Sequence, residues 1–181
     1  RIESISFYSI CEKTMKNLLT RALNMLYCIV VLLFFLDGFT GFDIKAQAIK
    51  TFVYIGLLVG SPVMLVWNFF VIDPILKRVI WTLFPAIMLV FIFITSPMKI
   101  LFSSGSWHTQ SILYQSRHTS SITIEFQMQD IGALGYNERT VEVQYLTPYF
   151  MIVKVIPSRA PSGSEWIPVE KDVNELGLKY P

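Results

Sequence analysis

TFVYIGLLVGSPVMLVWNFFVI, residues 51–72, and VIWTLFPAIMLVFIFITSPM, residues 79–98, decide the architecture of this chain. The first runs for 22 residues and the second for 20 without one Asp, Glu, Lys or Arg. Crossing roughly 30 Å of hydrocarbon at about 1.5 Å per residue takes about 20 mostly apolar residues in a helix. Hydrocarbon offers no water to the backbone N–H and C=O groups, and a helix satisfies them internally. Each run therefore predicts a transmembrane helix. Asp73-Pro74-Ile75-Leu76-Lys77-Arg78 separates them, with one acid and two bases where the chain turns.

Working toward the amino terminus, Ala22 to Leu36 forms a third apolar run of 15 uncharged residues. Extended back through Leu18 and Leu19 it reaches spanning length, provided that Arg21 snorkels to the headgroups. A cleaved signal peptide is the rival reading, with Lys16 and Arg21 as its basic region and Ala46-Gln47-Ala48 imitating a cleavage site. The distance from Leu36 to Ala48, interrupted by Asp37 and Asp43, favours an uncleaved anchor. Met15-Lys16-Asn17-Leu18-Leu19 has the form of a bacterial start, so residues 1–17 are expected to be an N-terminal arm, with residues 1–14 either an upstream extension or a cytosolic part of it.

The rest of the composition agrees. Of 181 residues, 53% are hydrophobic and only 15% charged, and mean hydropathy is +0.52. This excludes a disordered chain, and a formal charge of +2 argues against a nucleic-acid binder. Residues 1–102 carry nine Lys/Arg against five acids, and residues 103–181 six against eight. The boundary falls at the polar linker Ser103-Ser104-Gly105-Ser106. The expected fold class is membrane α + β: three transmembrane helices (about 18–36, 51–72 and 79–98 within 18–102) followed by a small antiparallel β-sheet domain, 103–181, with an irregular tail. Lys16, Arg21, Lys77 and Arg78 lie on one side of such a bundle and Lys45, Lys50 and Lys99 on the other. The positive-inside rule then puts the amino terminus in the cytoplasm and the β-domain outside, in a bacterial cytoplasmic membrane.

Beyond the linker the periodicity changes. Ile122, Ile124, Phe126 and Met128 alternate with Thr123, Glu125 and Gln127, and Val141, Val143 and Tyr145 with Glu142 and Gln144. A period of two marks half-buried strands, with the polar set facing water. Phe150–Ile156 is β-branched, Gln110–Gln115 is a weaker strand, and Trp166–Val169 an edge strand. The loop Asp130–Asn137 holds two turn-competent glycines, and Pro157–Ser164 reads as an irregular connection. Short connections predict an antiparallel meander of four or five strands.

The chemistry-bearing residues are sparse. His108 and His118 stand ten apart without neighbouring Cys, which supports no metal site. Glu125 and Asp130 are expected to be solvated on a strand's polar face. No P-loop, GxGxxG or GxSxG occurs. No catalytic residue, cofactor or metal is assigned, and the expected function is non-enzymatic. Gly56 and Gly60 form a GxxxG element that Ser61 extends, a face for close helix packing within the chain or against a second one. Tyr136, Arg139, Tyr145 and Tyr149 are the candidate contacts for a partner, since aromatics and Arg concentrate at interface centres. The expected partners are the lipid bilayer and a protein or a second copy of the chain, with no nucleic acid. The alternatives are an accessory subunit of a transport or respiratory assembly, or a ligand sensor.

Overall fold

The computed structural model describes residues 2–156 and 165–178, with the backbone alone for residues 2–11 and for Leu134. The expected connection Pro157–Ser164 lies outside the described residues. The elements run α1 (Ile2–Phe39), β1 (Phe42–Ile44), α2 (Gln47–Val71), α3 (Ile75–Thr95), α4 (Pro97–Phe102), then β2 (His108–Ser116), β3 (Ile122–Asp130), β4 (Tyr136–Tyr145), β5 (Phe150–Val155) and β6 (Trp166–Asp172). They divide into two compact units.

The first unit comprises Arg1–Phe34 and Val53–Leu101. Among the described residues three helices are long and apolar enough to cross a membrane: Glu12–Phe39, Gln47–Val71 and Ile75–Thr95. Their buried residues fall on narrow stripes. Tyr27, Val30, Val31 and Phe34 are buried on α1; Val53, Tyr54, Leu57, Ser61, Met64 and Asn68 on α2; Pro85, Met88 and Ile92 on α3. Spacings of three and four put each set on one helix face. The other faces are just as apolar but bare: Leu32, Val59, Val63, Phe70, Phe93 and Ile94 are all exposed. Pro62 and Pro85 sit inside α2 and α3.

The second unit comprises Phe35–Phe52 and Phe102–Pro181. It therefore takes in the last turn of α1, the start of α2 and the segment between them. That segment supplies β1, a strand the alternation missed because it is three residues long with an acid at its centre. The sheet is six-stranded and antiparallel throughout, in the order β1-β5-β4-β3-β2-β6. Strands β2 to β5 make the expected meander, and β1 and β6 add one strand at each edge. The β3–β4 connection is one turn of 3-10 helix. Gly132 (φ 67°) and Gly135 (φ 94°) take the left-handed backbone there, and the Asp130 carboxylate accepts the Gly132 N–H at 2.7 Å.

Pairing phase gives the sheet an unexpected face. Glu125 stands opposite Val141 and Thr123 opposite Val143, while Ile124 stands opposite Glu142. Directly opposed residues point to the same side. The polar set of β3 thus shares a face with the apolar set of β4 and is buried there, while Ile124 and Met128 are buried on the opposite face of β3. Val141, Val143 and Met151 are fully buried on the shared face, with Trp107, Tyr145 and Val153 packed against them. Thr123, Glu125, Gln127 and Gln129 are buried beside them. The expectation that these polar residues face water is corrected: each strand's alternation is real, but it does not say which phase is shared across a ladder.

Candidate functional site

The buried polar face is organised around Asp43, at the centre of β1. Lys50, in the first turn of α2, places Nζ 3.0 Å from Asp43 Oδ1 and 3.3 Å from Asp37 Oδ2, an acid in the last turn of α1. Asp37 Oδ1 also accepts the Ile44 N–H at 2.7 Å, which fixes β1 against the helix end. Arg139 reaches from β4 and donates from Nη2 to Asp43 Oδ2. Its Nε and Nη2 both donate to Gln127 Oε1, at 3.0 and 2.8 Å, and its guanidinium carbon lies 4.0 Å from the centroid of the Trp107 ring. Burial alone would raise the Asp43 carboxyl; the charges of Lys50 and Arg139 and their hydrogen bonds outweigh it and hold Asp43 below the ordinary carboxylate range.

Gln127 joins this cluster to a second one. Its Nε2 donates to Glu125 Oε2 at 3.0 Å. Glu125, only 1% exposed, also receives Thr109 Oγ1 at 2.7 Å, Thr123 Oγ1 at 2.8 Å and the Tyr145 hydroxyl at 3.0 and 3.1 Å. Four neutral donors meet the acceptor capacity of this buried carboxyl group. Lys45 Nζ lies 3.3 Å from the Tyr145 hydroxyl and 2.9 Å from Glu175 Oε1, and the Thr109 N–H donates to Glu175 Oε2 at 2.8 Å. Burial and then the Glu125 charge push the Tyr145 hydroxyl up; for Lys45, burial pulls down but Glu175 and Tyr145 prevail and raise it. The network runs unbroken from Asp37 to Glu175 and draws on α1, β1, α2, β2, β3, β4 and the segment after β6. Its acids and bases are engaged with each other, an arrangement that holds segments in register.

The expected contact residues separate into two pairs. Arg139 and Tyr145 lie within this network, the first nearly and the second partly buried, so they are internal ties of the domain. Tyr136 and Tyr149 are exposed, 43% and 54%. They are not neighbours: Tyr136 opens β4 and Tyr149 follows its far end, about 30 Å away at roughly 3.3 Å per residue. His108 Nε2 lies 3.1 Å from Ser106 Oγ, and Asp130 is exposed at the end of β3. Asp37, Asp43, Lys50 and Gln127 were not singled out by sequence. The signal for Asp37, Asp43 and Lys50 was the density of charge in the short segment between two apolar runs; Gln127 carried none.

In the helical unit the GxxxG face is occupied by α1. A Cβ at Gly56 would stand 3.2 Å from Val30 Cγ1, and one at Gly60 3.2 Å from Tyr27 Cδ2. Ser61 Oγ donates to the Leu57 carbonyl at 2.6 Å and so accepts from the Tyr27 hydroxyl at 2.8 Å. One turn on, Asn24 and Asn68 exchange side-chain hydrogen bonds at 3.0 and 2.9 Å, and Asn68 also donates to the Trp81 carbonyl. Gly60→Leu forces a branched side chain into the Tyr27 ring. It is expected to cost about 1–3 kcal/mol in the helical unit, read as a lower midpoint in detergent-mediated unfolding, with Val63→Leu on the bare face as the unchanged control.

Compared with protein-family models, with curated proteins and with solved structures, the chain matches none.

Proposed function

We propose that the chain is a multi-pass integral membrane protein without catalytic activity. Its helices hold the β-domain at the outer surface of a bacterial cytoplasmic membrane for assembly with a protein partner or a second copy. The observation that carries the reading is the bare apolar surface of three helices of spanning length, with Phe93 and Ile94 75% and 80% exposed. Water tolerates only small apolar patches on a folded chain, and lipid is the solvent that such a surface suits. The assembly role draws on the exposed Tyr149 and Leu146 beside the β4–β5 turn, and on the pairing of Asp37, Asp43, Lys50 and Arg139 with one another inside the domain.

Carbonate-washed membranes test the anchor: the full chain is expected to stay in the pellet and to leave it only with detergent. A photocrosslinker in place of Tyr149 tests the assembly, with a discrete protein adduct expected in intact membranes. Adducts to lipid alone, or none, would remove the assembly role. A cytosol-only reporter active when fused at Pro181 would reverse the orientation.

A further inference from the structure

A cleft of about 550 Å³ opens in the helical unit between α1 and the α2–α3 turn. Arg21, Lys77 and Asn17 line one part of it, and Met25, Cys28 and Trp81 another. We propose that this cleft binds the phosphate of an anionic phospholipid, with Arg21 and Lys77 on the headgroup and an acyl chain along Met25 and Trp81. The inference rests on the membrane reading above.

Its first support is unspent positive charge. Neither Arg21 nor Lys77 has a hydrogen-bond or ion-pair partner among the described residues. Asp73 also lines the cleft, but its carboxylate is taken by Arg78 at 2.6 Å. Lys77 moreover stands in the first turn of α3, where no acid is present and the preceding Pro74 supplies no side-chain cap. The positive end of a helix dipole disfavours a lysine there. A lysine at an uncapped helix start and an arginine on one cleft form a site that an anion stabilises.

The second support is the change of polarity along the cleft. Arg21, Met25 and Cys28 follow at four and three residues along α1, hence on one face, and Lys77 and Trp81 are four apart on α3. Both faces pass from cation to apolar or aromatic side chain within one turn. A soluble phosphate would use only the charged part; a phospholipid uses both, and basic pockets between spanning helices suit anionic headgroups.

The test uses the full chain in detergent, stripped of lipid and offered phosphatidylglycerol, phosphatidylcholine or inorganic phosphate, with bound molecules counted by native mass spectrometry. Phosphatidylglycerol is expected to be retained about tenfold or more over phosphatidylcholine, and Arg21→Gln with Lys77→Gln to abolish the preference. Lys154→Gln with Lys171→Gln, the same change of charge on the sheet, is expected to keep it. Equal retention of the two lipids, an unaffected Arg21/Lys77 double variant, or complete displacement by inorganic phosphate overturns the proposal. Should that variant fail to accumulate, bromine-labelled lipids give a second readout. The phosphatidylglycerol form should quench the fluorescence that Trp81→Phe removes, the phosphatidylcholine form should not, and equal quenching overturns the site. A chain recovered from the carbonate supernatant would refute the membrane reading, whereas a pelleted chain blind to headgroup charge refutes this one alone.

Discussion

Asp43→Ala is expected to lower the stability of the β-domain by about 3 kcal/mol, toward the lower end of the range for breaking a buried ion pair. The lower end applies because Lys50 keeps Asp37 and Arg139 keeps Gln127. Arg139 nonetheless loses its ion pair with Asp43 while remaining nearly buried. Against a domain stability of about 5–15 kcal/mol, the loss shows as a lower melting midpoint in the near-ultraviolet dichroism of the domain's aromatic residues. Asp172→Ala, an equal change of charge on exposed β6, should move the midpoint by no more than about 0.5 kcal/mol. If the two variants melt alike, the network carries no stability.

Acid supplies the matching check. The Asp43 carboxyl is depressed in the folded chain, so its contribution is complete above the unfolded carboxyl pKa of about 3.9. It is lost as pH falls through the lower folded value. The wild-type domain should therefore lose stability below roughly pH 4 more steeply than Asp43→Ala, which has no such proton to take up. Parallel profiles would show that Asp43 is not held ionised by its neighbours.

Glu125→Ala should be comparably damaging, by about 2–4 kcal/mol, because it strands four buried donors at about 1–3 kcal/mol for each one that finds no substitute. Glu125→Gln separates the causes. Thr109, Thr123 and Tyr145 carry hydroxyls that accept as well as donate, so they can turn to meet an amide; the Gln127 Nε2 cannot. The amide variant is thus expected to recover about half of the loss, measured by the same melting experiment. Equal damage from both substitutions would mean that the negative charge, rather than its hydrogen bonds, sustains the site.

Much of this architecture was legible because it is written in long, repetitive signals. Residues 51–72 and 79–98 allow little besides long apolar helices, and the alternation around Ile124 and Val143 marks strands whatever surrounds them. The end of α1 was not legible, since Asp37 and Gly38 look like a stop when the partner of Asp37 is unknown; Lys50 turns that acid into a tie. Glu125 was hidden for a related reason. A strand's sequence shows two faces but not which one its neighbour shares, and only the opposition of Glu125 to Val141 sends it inward. Arg139 and Tyr145 matched the chemistry of a contact surface, and the same chemistry serves a buried polar junction equally well.

The bond between Asp43 and Arg139 joins residues 96 positions apart. At a synthesis rate of roughly 5–20 residues per second, the acid waits about 5–20 seconds for the base that completes its surroundings. During that interval the young chain has its greasy helices and their charged flanks but not the later strands that will shelter those charges. Closure of the sheet is consequently a late event in the life of the molecule, and a ribosome stalled before residue 139 would leave a product whose first strand lacks β5, the strand it pairs with.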